Sequence, residues 1–257
     1  MNIKVTKPLL ILAAGVILVA GGAFGAIGAT KAEGEYSSKA EGVSFETAEF
    51  TVDLMENQNG KYQSVAGSAE APKTLEITSL SNVTAGKEEI QVEHPYDEEV
   101  KVVNNSKGDF PQYVRVVVSK YWTDLDGNKD TEADPEFINL ETTGDWAAVP
   151  SESNTEETVY YYKKPLEKNA EAQLLKSISF DKDVLDAYKI TKTDEDGNKV
   201  VTIKGYQKKK CNIEVRVDAI QARSAKDAIL GAWGIDVTFD DAGNITSIDG
   251  TDIKGGE

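Results

Sequence analysis

The chain has 257 residues, 44 of them acidic and 28 basic, with one histidine and one cysteine. That length suits one large or two small domains, and the acidic excess argues against nucleic acid or an anionic membrane surface as a partner, because phosphate binding needs clustered Lys and Arg. The lone Cys211 excludes an intrachain disulfide and a cysteine-rich zinc site.

At the N-terminus, Lys4 and Lys7 precede Leu9–Ala29, a run without a polar side chain that is Leu/Ile/Val-rich first and Gly/Ala-rich last. Basic head, apolar middle and small-residue tail predict a cleaved signal peptide over residues 1–29. Cutting is expected after Gly25, Ala26, Ala29 or Ala32. A permanent membrane anchor is the alternative, since the run just reaches spanning length. Its Gly-rich end is weakly helical, however, and no basic stop-transfer cluster follows. No cysteine directly follows the run and Asp249–Glu257 is polar, so neither a lipid anchor nor wall attachment is expected. The mature chain is expected outside the cell, touching membrane only through the uncleaved leader.

Residues 30–42 are small, polar and Glu-rich, with Tyr36 the one large apolar side chain, and are predicted to be a flexible tail. Residues 43–257 are predicted to be a β-sandwich. Val43–Leu54 reads as a strand with a bulge near Thr47–Ala48, and Asn57–Ala71 as a polar connection. Thr74–Leu80 and Glu88–Val92 are short strand candidates. Glu98–Val103 leads through the turn cluster Asn104–Asp109 into Pro111–Trp122, the most strand-like run of the mature chain. There Val114, Val116 and Val118 share one face, and Arg115, Val117 and Ser119 the other, which suits a strand packed mainly on one side.

A turn-rich segment, Asp124–Asp134, follows immediately. Asp145–Val149, Thr158–Lys163 and Ala172–Phe180 are the following strands, and Asp183–Tyr188 is a candidate helical turn. Asp186–Thr191 pairs with Asn198–Lys204 across Asp196-Gly197. Asn212–Ala219 alternates cleanly: Ile213, Val215, Val217 and Ala219 inward, Glu214, Arg216 and Asp218 toward water. Cys211 shares the inward parity and reads as a small buried side chain. Ser224-Ala225-Lys226-Asp227 has the form of a capping box opening a short helix to Trp233, stopped by Gly234. Ile235–Phe239 and Ile245–Ile248 close the chain as a hairpin. Many short strands and one late helix predict an all-β fold, an antiparallel sandwich of jelly-roll type.

Chemistry-bearing motifs are few. His94 stands alone beside Pro95, so no two-histidine zinc motif exists, and no nucleophile elbow accompanies it. No catalytic residue, metal ligand or cofactor site is assigned. Asp124–Asp130 has oxygen-bearing side chains at alternate positions, as calcium loops do, but its glycine is fourth rather than sixth. Asp194–Asn198 and Asp240–Asn244 are similar, so a recurring turn is the simpler reading. Lys208–Lys210, the only basic cluster, reads as a solvated turn. Trp122, Trp146, Trp233 and the run Tyr160–Tyr162 either fill the core or form a carbohydrate platform; aromatics of a sandwich this size more often do the former.

Several segments, in order, resemble the TasA/camelysin-like exported fibre subunits of Gram-positive bacteria. They are Gly28-Ala29-Thr30-Lys31-Ala32, Tyr36-Ser37-Ser38, Val52–Asn57, Tyr113–Trp122 with Asp126-Gly127-Asn128-Lys129, Asp134-Pro135, Trp146, Tyr160–Pro165, Val217–Gln221 and Ala228–Val237. The resemblance implies a non-enzymatic jelly-roll subunit, released by a dedicated signal peptidase and assembling head-to-tail with copies of itself into biofilm-matrix filaments, with an accessory matrix or anchor protein as a further partner. It also implies assembly by donor-strand complementation, with Lys31, Tyr36, Ser38 and Ala40 in the candidate donor strand. Gly34, Gly42 and three glutamates lower that tail's intrinsic strand propensity. Some camelysin-type members are described as metalloproteases, an activity for which this chain has no recognisable zinc-ligand set. The alternatives are a surface carbohydrate- or ligand-binding sandwich and, more remotely, a metalloprotease dependent on His94.

Overall fold

The computed structural model describes residues 52–65, 72–81, 88–186, 188–193, 199–206 and 209–253. Its strands are β1 (Val52–Gln58), β2 (Lys61–Ser64), β3 (Lys73–Thr74), β4 (Tyr96–Asn104), β5 (Gln112–Thr123), β6 (Ile138–Thr142), β7 (Trp146–Pro150), β8 (Glu157–Tyr162), β9 (Glu171–Phe180), β10 (Tyr188–Thr193), β11 (Lys199–Lys204), β12 (Lys210–Gln221), β13 (Val237–Phe239), β14 (Ile245–Ile248) and β15 (Thr251–Asp252). The helix α1 (Ala225–Trp233) lies between β12 and β13.

Alternation of side chains builds the core. In β4 every second residue is buried, namely Tyr96, Glu98, Val100, Val102 and Asn104. In β12, Ile213, Val215 and Val217 are buried at intervals of two. The sheet order is β2-β1-β4-β9-β6 in one layer and β3-β12-β5-β8-β7 in the other, every pairing antiparallel. The pairs β3–β12, β4–β9 and β5–β8 nest inside one another, and β6 and β7 sit at the turning point in opposite sheets. A long antiparallel ribbon rolled up in this way is a jelly roll. The β1–β2 hairpin extends the first sheet, and the β10–β11 hairpin is inserted between β9 and β12.

Between the sheets, Leu54, Val100, Val116, Trp122, Ile138, Ile178, Phe180 and Ile213 are fully buried. The Trp122 ring lies 5.7 Å from Phe180 and 5.0 Å from Tyr206, and its Nε1 donates to the Asp134 carbonyl at 2.8 Å.

The predicted one-sided packing of β5 is corrected. Val114, Val116 and Val118 face the sandwich core as expected, but Tyr113 and Val117 on the other face are buried too. A second cluster covers that face: Tyr113, Ala147 and Tyr161 from the sheet pack with Ala225 and Ile229 of α1 and with Val237, Ile245 and Ile248. The second sheet is therefore buried on both faces.

Several local predictions also change. Thr74–Leu80 divides into β3 and a 3-10 turn at Thr78–Leu80. Glu88–Val92 is irregular because its backbone is satisfied elsewhere: Gln91 N–H donates to the Tyr96 hydroxyl, and Glu93 N–H, at φ 55°, to the Phe180 carbonyl. The connection after Asn57 holds a strand, β2, reached through an Asn59-Gly60 turn with φ of 55° and 81°. Strand β6 lies just beyond the turn-rich segment, in a stretch to which no strand is assigned from the sequence. Ser224 does not cap α1; it has φ 58° and no side-chain hydrogen bond to the helix. Gly234 does end the helix, at φ 72°, with its N–H on the Leu230 carbonyl. Residues 43–51, including the predicted bulge, and the Asp196-Gly197 turn lie outside the described residues.

Candidate functional site

The predicted cleavage residues Gly25, Ala26, Ala29 and Ala32 and the candidate donor residues Lys31, Tyr36, Ser38 and Ala40 also lie outside the described residues. Among the described residues, no helix is long and apolar enough to cross a membrane.

The aromatic residues do not form an exposed platform. Tyr160 points into the sandwich and Tyr161 into the second cluster, while Tyr162 lies 5.1 Å from Trp146. Burial raises the pKa of all three hydroxyls. Trp146 is buried, with Nε1 on the Gln173 carbonyl at 2.8 Å. Trp233 packs on Tyr161 at 5.7 Å, and the Arg115 guanidinium lies over its ring.

His94 is exposed and meets Tyr96 edge-on at 5.2 Å. Cys211 packs against the core, and burial pushes its thiol up to about 12, far from a reactive thiolate. Lys209 is tied to the buried Asp130 at 2.5 Å, and Lys210 Nζ to the Leu125 carbonyl, so neither stands in a free basic patch; Lys208 lies outside the described residues.

Two of the Asp-x-x-Gly-Asn segments adopt one geometry. Asp124 accepts from the N–H groups of Asp126 and Asn128 and from Asn128 Nδ2; Asp240 accepts from Ala242, Asn244 and Asn244 Nδ2 in the same way. Gly127 and Gly243 take φ of 89° and 81° in these turns. Each carboxylate is engaged by its own turn. The Asn128 amide, first by its side chain and then by its backbone, lowers the pKa of Asp124. The third copy, Asp194–Asn198, lies outside the described residues.

What the fold does present is a sheet edge. All twelve residues of β12 pair with β5 without a bulge. On the outer side, among the described residues, only Lys73 and Thr74 pair with it, opposite Val215 and Glu214. Leu75 N–H donates to the Ile213 carbonyl on that side at 2.9 Å. Alternate residues of a strand share a direction of hydrogen bonding, so Val217, Ala219 and Gln221 also turn their N–H and C=O outward. Val217 is buried within the sandwich, Ala219 is packed against its core, and Ile220 is packed against the second cluster. The edge therefore offers backbone groups flanked by apolar side chains on both faces.

Beside this edge lies a pair of buried acids. Glu56 of β1 is 0% exposed and Glu98 of β4 is 2% exposed. Glu56 Oε1 accepts from the Glu76 N–H at 2.6 Å, and Oε2 from Gln58 Nε2 at 2.7 Å. Burial first, then the charge of Glu56 and the hydrogen bond to it, push Glu98 up to about 9, with Glu99 adding to the effect. Glu98 is thus a neutral acid at pH 7, donating its proton toward Glu56. The other Glu98 oxygen, Oε1, has no hydrogen-bond partner among the described residues. Sequence reasoning missed this pair, although both residues carry the core parity of their strands: Glu98 with Tyr96 and Val100, Glu56 with Leu54.

Comparison with family models, with curated proteins and with solved structures returned no match.

Proposed function

We propose that this chain is exported and is a structural, non-enzymatic subunit of extracellular filaments. Each subunit's N-terminal tail is the added strand of the next, and no cofactor takes part. The observation that carries this reading is the β12 edge, where Val217, Ala219 and Gln221 have no described strand beside them. Unpaired sheet edges invite strand addition, in which main-chain hydrogen bonds supply affinity and alternate side-chain pockets supply register. A donor carried at one end of a subunit and an acceptor edge on its body make a head-to-tail contact. Such a contact propagates instead of closing.

The tail's own pattern supports the role. From Lys31 to Gly42 the odd positions are Lys31, Glu33, Glu35, Ser37, Lys39 and Glu41; the even ones are Ala32, Gly34, Tyr36, Ser38, Ala40 and Gly42. One face is wholly polar and mostly charged, the other small with one aromatic. That period of two suits a strand laid with one side against protein. Its low propensity keeps it from ordering alone, so the strand forms when a neighbour provides the ladder. The resemblance to TasA/camelysin-like fibre subunits points the same way.

The test uses the chain without residues 1–29, followed by negative-stain microscopy and circular dichroism. Deleting residues 31–42 is expected to leave a folded monomer that forms no filaments. Ala219→Pro should act alike from the acceptor side, because the N–H it removes faces away from β5. Filaments of unchanged yield from both variants would refute the proposal.

A further inference from the structure

Two carboxyls buried side by side in a β-sandwich are costly unless one is neutral. Here they are placed where that cost has a mechanical consequence. Glu56 sits in β1, held on both sides by β2 and β4. Its Oε1 takes the Glu76 N–H at 2.6 Å, one residue from Leu75, whose own N–H bonds β12 at the Ile213 carbonyl. Leu75 is buried and follows directly on β3. The short strand that lies on the β12 edge is thus moored at one end by Glu56.

We propose that Glu56 and Glu98 are a proton-operated latch: the proton they share keeps the segment from Lys73 to Ile77 moored to the sandwich, and its loss frees that segment from the β12 edge.

Among the described residues, the groups around the pair offer no compensating charge. From β4, Glu99 adds a further negative charge, although its carboxylate faces the other side of the sheet, accepting from Asn57 Nδ2 at 2.7 Å and the Tyr62 hydroxyl at 2.9 Å. Lys101 of β4 sits on that same outer side, over the Tyr62 ring and paired with Glu171. From β1, Asp53 accepts from the Ser64 and Asn105 side chains. On the mooring segment the Lys73 and Glu76 side chains are exposed. On β12, Glu214 accepts from the Tyr121 hydroxyl on the sheet's outer face. Among the described residues, no lysine or arginine pairs with either buried carboxyl.

The direction follows from proton linkage. The folded chain holds the Glu98 proton up to about pH 9, whereas the unfolded chain releases it near 4.5. Between those values the folded state binds the extra proton, so its stability is complete below about 4.5, falls as pH rises, and levels off above about 9. The limiting slope is a tenfold change in the folding equilibrium per pH unit, about 1.4 kcal/mol. That loosening would regulate strand docking rests on the reading of β12 as the acceptor edge; the latch itself does not.

The experiment measures urea unfolding of the leaderless chain at pH 6, 7, 8 and 9, together with exchange protection of the Glu76 amide, corrected for the intrinsic pH dependence of exchange. Wild type is expected to lose up to tenfold in the folding equilibrium per unit, with Glu76 protection falling in step. Glu98→Gln keeps a donor toward Glu56 and has no proton to lose, so its stability and its Glu76 protection should be flat over the same range. Glu56→Gln removes the neighbouring charge and should flatten the slope in part, which keeps the test decisive if Glu98→Gln folds poorly. Equal slopes in wild type and both variants, or Glu76 protection that ignores pH, would overturn the latch. Filament formation is not a readout, so this result and that of the filament test are separable.

Discussion

Asn104 shows how one side chain can close the accounts of a whole junction. It ends β4 inside the protein, 0% exposed. Its Nδ2 donates to the Phe110 carbonyl at 3.0 Å and the Leu166 carbonyl at 2.8 Å, and its Oδ1 accepts from Ser106 N–H, Ser106 Oγ and Gln112 Nε2. Its backbone is engaged as well, with Ala170 and Asn169. Removal of the amide would take the Asn104 acceptor from the buried Ser106 N–H and one bond each from the Leu166 carbonyl, which keeps the Gln112 N–H, and from Gln112 Nε2, which keeps Ser106 Oγ. A buried group left without its partner costs about 1–3 kcal/mol, so Asn104→Ala is expected to lose about 1–3 kcal/mol in urea unfolding. Asn104→Asp should be no better, since a carboxylate offers no donor and would face two carbonyl oxygens. A loss below about 1 kcal/mol for Asn104→Ala would show that the network rearranges around the gap.

At the scale of elements, the Asn59-Gly60 turn joins β1 to β2 with both central residues at positive φ. A Cβ on Gly60 would meet nothing within 4 Å, so the cost of Gly60→Ala comes from the backbone alone. It should destabilise by about 1–2 kcal/mol, seen as a lower thermal midpoint, whereas Asn59→Gly should change it little. Asn-Gly is among the strongest hairpin signals a sequence can carry, yet this one was hidden because Lys61–Ser64 has no apolar alternation. Long strands such as β5 and β12 were legible because β-branched residues recur at every second position. Strands as short as β3, and the irregular course of Glu88–Val92, were not, because side-chain and long-range backbone bonds decide them. The capping-box letters at Ser224 misled for a related reason: the chain enters α1 through a left-handed residue, which turns the hydroxyl away from the helix N-terminus. The candidate site divides in the same way. The tail's period of two can be read from its letters, whereas the stretch of β12 that no described strand covers and the proximity of Glu56 to Glu98 are products of sheet order.

At the scale of the molecule, the described residues form three layers: two sheets enclose one core, and α1 with β13–β15 encloses a second against the outer face of β5, β7 and β8. The middle sheet belongs to both cores. Val114, Val116 and Val118 face the sandwich while Tyr113 reaches the second cluster from the same strand, its hydroxyl donating to the Gly243 carbonyl at 2.5 Å. Arg115, also on β5, bonds Asp218 of β12 at 2.9 Å and lies over Trp233 of α1. With β5 serving both layers, loss of the C-terminal layer would expose Tyr113, Ala147 and Tyr161 on a sheet that still had to stay folded. One cooperative unfolding transition is therefore expected, not an early melting of the C-terminal layer. Ile229→Ala, at a position that is 0% exposed in α1, is expected to cost about 2–5 kcal/mol. The shift should appear equally in far-ultraviolet circular dichroism and in tryptophan fluorescence, which is weighted toward the buried Trp122 and Trp146. Coincident curves would establish that the sandwich and its outer layer fold as one unit. Two separated transitions would instead make the outer layer a detachable cover, and β5 a strand able to stand with one face bare.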